Sequence, residues 1–97
     1  MYKRKTENLT ELRRQIDGID EQLLELLAKR MRISREIGVY KKEHNMPILQ
    51  SPRYSEILEK RSNMGEQMDL STDFVKEILK EIHEESVRQQ MIIMNKQ

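Results

Sequence analysis

Residues 8–44 read NLTELRRQIDGIDEQLLELLAKRMRISREIGVYKKEH. Only Gly18 and Gly38 interrupt this run of helix formers, and no proline occurs before Pro47. Leu12, Ile16, Ile19, Leu23, Leu26, Arg30, Ile33, Ile37 and Tyr40 follow one another at alternating steps of four and three residues. That spacing is the stripe of one long amphipathic helix packed on other helices. Its exception is Arg30, which stands where the pattern calls for a leucine. A guanidinium on a buried stripe must be paired or must bind an anion, because an unpaired buried charge is very costly.

The helix begins with a start signal, Asn8 as N-cap followed by Glu11, so it is expected from Leu9. It is expected to end near His44, with Asn45 accepting a left-handed turn and Pro47 blocking continuation. Such a helix is roughly 50 Å long and cannot be covered by two shorter partners, so an oligomer is expected. Working outward, Met46–Gln50 reads as a loop. Ser51 and Pro52 then read as the cap and first residue of a second helix, running to about Met64 and stopped by Gly65. Its inner face is expected to carry Tyr54, Ile57, Leu58, Arg61 and Met64. Ser71, with Asp73 behind it, opens a third helix whose apolar face is Val75, Ile78, Leu79 and Ile82. One turn on, that face carries Ser86 and then Gln90, before Ile93 restores its apolar character.

Composition agrees with an all-α fold of three helices in a single domain. The 97 residues are about one third apolar and one third charged, with few aromatic side chains. A formal charge of +1 gives no field to draw nucleic acid or a membrane surface. The chain has no cysteine, hence no disulfide framework. No apolar run approaches the ~20 residues of a membrane span, and the N-terminus does not read as a signal peptide. A cytoplasmic protein is the expectation, with residues 1–7 a disordered or linker segment ahead of a domain over 8–97.

Polar residues on faces that should be buried point to a ligand. Eleven residues separate Arg30 from Lys41, which returns them to within ~20° of one direction, ~16 Å apart along the axis. Two long side chains at that spacing can converge on one small molecule. Ser86 and Gln90 add a hydroxyl and a carboxamide from the third helix. A fork of cations without a matching buried acid suits a small dicarboxylate. Arg13 lies roughly 25 Å before Arg30 and cannot share a ligand with it in one chain. In an antiparallel pair of first helices, Arg13 of one chain can stand beside Arg30 of the other, giving a two-fold dimer two sites completed in trans. Other readings stay open: Arg13 as a solvated residue, Arg30 as a register device, Ser86 bonded to its own helix backbone, and Lys41 and Lys42 as partners of the helix dipole. His44 and His83 lack cysteine or helical spacing to each other, so no metal site is expected. Glu84 and Glu85 read as a solvated pair, and there is no phosphate loop or nucleophile elbow.

Taken together, LRRQIDGIDEQLLELLAKR (12–30), EIGVYK (36–41), Arg53 and ESVRQQ (85–90) resemble the all-helical class of chorismate mutase. The resemblance covers nearly the whole chain from Leu9. It implies an intertwined homodimer of three-helix protomers that converts chorismate to prephenate without any cofactor. It further implies that Arg30 and the partner chain's copy of Arg13 hold the two carboxylates. Lys41 and Gln90 would donate to the ether oxygen, with Arg30 among the catalytic groups. Ser86 would assist one carboxylate, Arg53 would orient the second-helix end of the site, and Gln50 would accept from the substrate hydroxyl. Gln50 and Tyr54 stand where family members often carry acids. The stretch PILQSPRY (47–54) also resembles mutase domains that some bacteria fuse to the heptulosonate-phosphate synthase, which implies a fused or associated synthase as a partner. Two alternatives remain: an isochorismate–pyruvate lyase of the same fold, and a non-catalytic helical dimerisation or regulatory module.

Overall fold

A computed structural model describes residues 8–49 and 51–96, and they form three helices in the order α1 (Leu9–Glu43), α2 (Ser51–Gln67) and α3 (Thr72–Met94). The expectations for residues 1–7 and for Gln50 fall outside the described residues, as does the cap expected of the Ser51 side chain. No helix among the described residues is long and apolar enough to cross a membrane. The chain divides into two units, Met1–Arg30 and Met31–Gln97.

In the first unit, Asn8 caps α1 by accepting the Glu11 backbone N–H on Oδ1 at 2.8 Å. Only one arm of the expected capping box forms. The Glu11 carboxylate turns instead to Arg14, 2.6 Å away, and to Gln15 at 3.2 Å. Those hydrogen bonds, Arg14 first, hold its carboxyl below the usual range. The apolar stripe is exposed along this unit: Ile19 is 60% and Leu26 64% exposed. Arg30 is exposed too, so the expectation that it is buried on a seam is corrected for the single chain.

The second unit holds the end of α1 together with α2 and α3. α1 closes in a Schellman motif: Met46 N–H donates to the Lys41 carbonyl (2.8 Å) and Asn45 N–H to that of Lys42 (3.4 Å). Asn45 supplies the left-handed residue at φ 54°. Lys42 reaches across to the other helix end, where Nζ donates to the carbonyls of Ile93 and Lys96. A cation there adds to the bonds at the helix end and meets the negative end of the α3 dipole.

Gly65 does not stop α2, which runs on to Gln67. The stop lies at Asp69, with φ 62°, where Leu70 N–H donates to the Gly65 carbonyl and Asp69 N–H to that of Glu66. Gly65 is there for packing: a Cβ on it would stand 2.7 Å from Val75 Cγ2. The inner face of α2 is also shifted from expectation. Tyr54, Ile57 and Leu58 are half-buried as expected, but Arg61 and Met64 are exposed, and Ser62 is the buried residue. Its hydroxyl donates to the Leu58 carbonyl one turn back at 2.6 Å, so it needs no outside partner. Ser71 caps α3 as expected, accepting Phe74 N–H on Oγ.

Among the described residues no apolar side chain is buried; the buried residues are Ser34, Gly38, Ser62, Gly65, Ser86 and Gln90. The core of this unit is therefore made of small and polar groups: Ser34, Gly38, Ser86 and Gln90 on a seam between α1 and α3, and Ser62 and Gly65 on α2.

Candidate active site

The seam is built by two short steps of sequence. On α1, Ser34, Gly38 and Lys41 follow each other at four and three residues, one residue round from Ile33, Ile37 and Tyr40. A one-residue offset is ~100° of helix, so this second stripe faces α3 while the apolar stripe is left in solvent. On α3, Ser86 and Gln90 lie one turn apart and meet it. The Ser34 hydroxyl donates to Ser86 Oγ at 3.0 Å, and both residues are buried. Gly38 sits against Gln90: a Cβ on it would be 3.1 Å from Gln90 Cα and 3.4 Å from Cβ and Cγ.

Lys41 then lies beside the Gln90 side chain. Its Nζ donates to Gln90 Oε1 at 3.1 Å and to the Ile48 carbonyl at 2.7 Å. The first bond fixes the carboxamide: the oxygen is taken by the ammonium, so the NH2 group is the face left to donate. The second fastens the loop after α1 to the same ammonium. With two of three protons committed, Lys41 has one more to offer. Partial burial, and then the nearby positive charge of Arg53, lower its pKa from the ordinary lysine value. Both effects mean that the ammonium lies where a negative group would be welcome.

Of the residues expected in the site, this unit brings Lys41, Gln90 and Ser86 onto one seam, with Arg53 close enough to act on Lys41 by its charge. Arg53 itself is exposed. Arg13 and Arg30 belong to the other unit and are exposed on α1. Tyr54 stacks on His83 with ring centroids 3.9 Å apart, which engages its ring in an α2–α3 contact. Glu85 is held below the usual carboxyl range by hydrogen bonds from Gln89 and Arg88, in keeping with a charge-bearing surface group. Arg35, which donates to Gln89 Oε1 at 3.0 Å, ties α1 to that same side of α3.

Sequence reading passed over Ser34, whereas a glycine inside a helix, as at Gly38, already reads as a close-packing position, and Gln90 is what packs there. The signal was present as the small residues at 34 and 38, seven and three before Lys41, matching the four-residue spacing of Ser86 and Gln90. Gly38→Ala tests the fit directly. Its methyl must push on the Gln90 backbone, which moves the carboxamide off the Lys41 ammonium. We expect turnover to fall about tenfold with helix content kept, since small misplacements of catalytic groups have large costs. Circular dichroism and turnover on the same preparation measure both.

Comparison with known proteins bears on what the seam serves. Residues 12–91 match the family Chorismate mutase type II. The chain is 36% identical over 78 residues to a T-protein of Enterobacter agglomerans, covering 80% of this chain and 21% of that protein. It is 35% identical over 89 residues to a bifunctional chorismate mutase/prephenate dehydratase of Buchnera aphidicola, covering 92% of this chain and 23% of the relative. Over a shorter stretch of 54 residues it is 46% identical to a protein of the same description from Aquifex aeolicus, covering 56% of this chain and 15% of the relative. The chain spans about a fifth of the length of the first two relatives.

Proposed function

The chain belongs to the chorismate mutase type II family, and we propose on that ground that it converts chorismate to prephenate. The observation that carries the proposal is the Lys41–Gln90 pair, two donors fixed beside one another at a buried helix seam.

The reaction breaks one C–O bond as one C–C bond forms, within a single molecule. It asks the protein for two things, neither of them a proton transfer. The enolpyruvyl arm has to be held over the ring, which can supply several kcal/mol through orientation alone. Negative charge that grows on the ether oxygen then has to be met by donors already in place. In this reading the third proton of Lys41 and the NH2 of Gln90 point at that oxygen. Arg30 and the partner chain's copy of Arg13 grip the carboxylates in bidentate pairs. Ser86 supports one carboxylate, Arg53 orients the α2 end of the site, and Gln50 accepts from the ring hydroxyl.

Completion in trans requires a homodimer, and burial supports one. A dimer interface would cover the apolar stripe that the single chain leaves exposed. Ile16, Ile19, Leu23 and Leu26 would lie inside it; they are all more than half exposed now. Two dead variants should repair each other. Arg13→Ala fails in trans and Lys41→Ala in cis, so a mixed dimer has one wholly native site and one site with both changes. After unfolding and refolding an equal mixture, random pairing should restore about a quarter of native activity. An activity no higher than that of the separate variants would rule out sites shared between chains.

The primary test is the loss of chorismate with this chain alone, run beside isochorismate. Prephenate from the first supports the reading; pyruvate and salicylate from the second would favour the lyase, and no turnover of either a non-catalytic module. We place the reaction in the cytoplasm, because a dianionic substrate does not cross a bilayer unaided. As partner we propose a fused or associated heptulosonate-phosphate synthase, on the likeness at residues 47–54. The two bifunctional relatives described above are named for prephenate dehydratase instead.

A further inference from the structure

We propose that Ser34 is a positioning residue for Ser86, so that a buried pair of hydroxyls, rather than one serine, forms the neutral part of the anion site. The inference rests on the mutase reading above and adds a residue to it. Ser34 and Ser86 are 5% and 7% exposed, and their oxygens are 3.0 Å apart with Ser34 donating. Ser86 Oγ in turn donates to the Met31 thioether at 3.8 Å.

A serine hydroxyl has one proton and two acceptor positions. By donating to Ser86, Ser34 occupies one acceptor position and steers the Ser86 proton away from α1's Ser34. The Met31 thioether, one acceptor within its reach, is a poor one. A substrate carboxylate oxygen is far better, because O–H···O⁻ bonds are shorter and about twice as strong as neutral ones. Accepting a bond also polarises Ser86 and strengthens its own donation. Gly38, one turn along from Ser34, keeps the helices close enough for the pair to form. Ser34 thus acts on substrate only through Ser86, and its contribution should appear in binding rather than in the chemical step.

The test is a double-mutant cycle in chorismate turnover by the whole chain, using native protein, Ser34→Ala, Ser86→Ala and the double variant. Ser34→Ala should raise KM about fivefold, one ordinary hydrogen bond's effect, and leave kcat within about twofold. In the Ser86→Ala background it should change KM no further. A seam bond that serves stability alone would lower the denaturation midpoint without this coupling in KM. An unchanged KM in Ser34→Ala, or the same KM increase in both backgrounds, overturns the inference while native activity leaves the mutase reading standing. A native chain without turnover would remove both. Should Ser34→Ala not fold, Ser34→Cys keeps the volume with a weaker donor. It should give a KM between native and Ser86→Ala, and a native KM would overturn the inference.

Discussion

Lys41→Ala is expected to lower kcat by about three orders of magnitude, a loss comparable to removing one preplaced oxyanion donor. The position explains the size. Lys41 Nζ holds the Gln90 carboxamide at 3.1 Å and the Ile48 carbonyl at 2.7 Å, so the change removes a donor, frees its neighbouring donor to rotate and releases the loop after α1. Substrate binding should suffer less, because the two arginines assigned to the carboxylates remain. Single-turnover rates at saturating chorismate, with circular dichroism to verify the helices, measure the effect. A rate within tenfold of native would take Lys41 out of the proposed chemistry.

On the proposed function, the same lysine is expected to set the upper pH limit of activity. Burial and then the charge of Arg53 lower its pKa. A lowered lysine pKa means that the ammonium is present at low pH and is lost, as pH rises, earlier than from a lysine in water. In the free protein, kcat/KM should therefore fall on the alkaline side below the ordinary lysine range. A bound dianion favours the charged form and raises the pKa again, so the fall in kcat should come at higher pH.

How much of this could be read without coordinates depends on which force placed each residue. The three helices, the caps of α1 and α3 and the end of α1 were legible because they follow from local chemistry: Asn8, Ser71 and Asn45 do what their side chains permit anywhere. The α2 terminus was misread because Gly65 is a common stop signal, yet here its missing side chain admits Val75, and Asp69 takes the left-handed turn at some conformational cost. The long stripe was seen correctly as an apolar face, but periodicity does not say what covers a face. Within one chain, Ser34 and Gly38 make the close contact with α3, because small residues let two backbones approach. Lys41 and Gln90 stood out as polar residues on faces expected to be covered, and the structure brings them to 3.1 Å from each other; their part in catalysis is the proposal. Ser34 was passed over because a serine on a helix commonly bonds its own backbone, as Ser62 does.

Gln90→Glu should turn a protein that works at neutral pH into one that works only in acid. The native carboxamide is neutral, is buried to 8% exposure and keeps its NH2 available because Lys41 takes its oxygen. A carboxyl group in its place can donate to the ether oxygen only when protonated; ionised, it puts a negative charge where the transition state develops one. The Lys41 ammonium pulls the new group toward its ionised form, while burial and the bound dianion push the other way. Whichever pull is stronger, the active form is the protonated one, so activity rises as pH falls through the new pKa. At neutral pH the loss should be on the order of a hundredfold or more, with most of it recovered in acid. Rates measured from pH 4 to 8, on protein whose helix content is followed over the same range, decide the matter. A loss independent of pH, or no loss at all, would mean that the Gln90 side chain does not face the breaking bond.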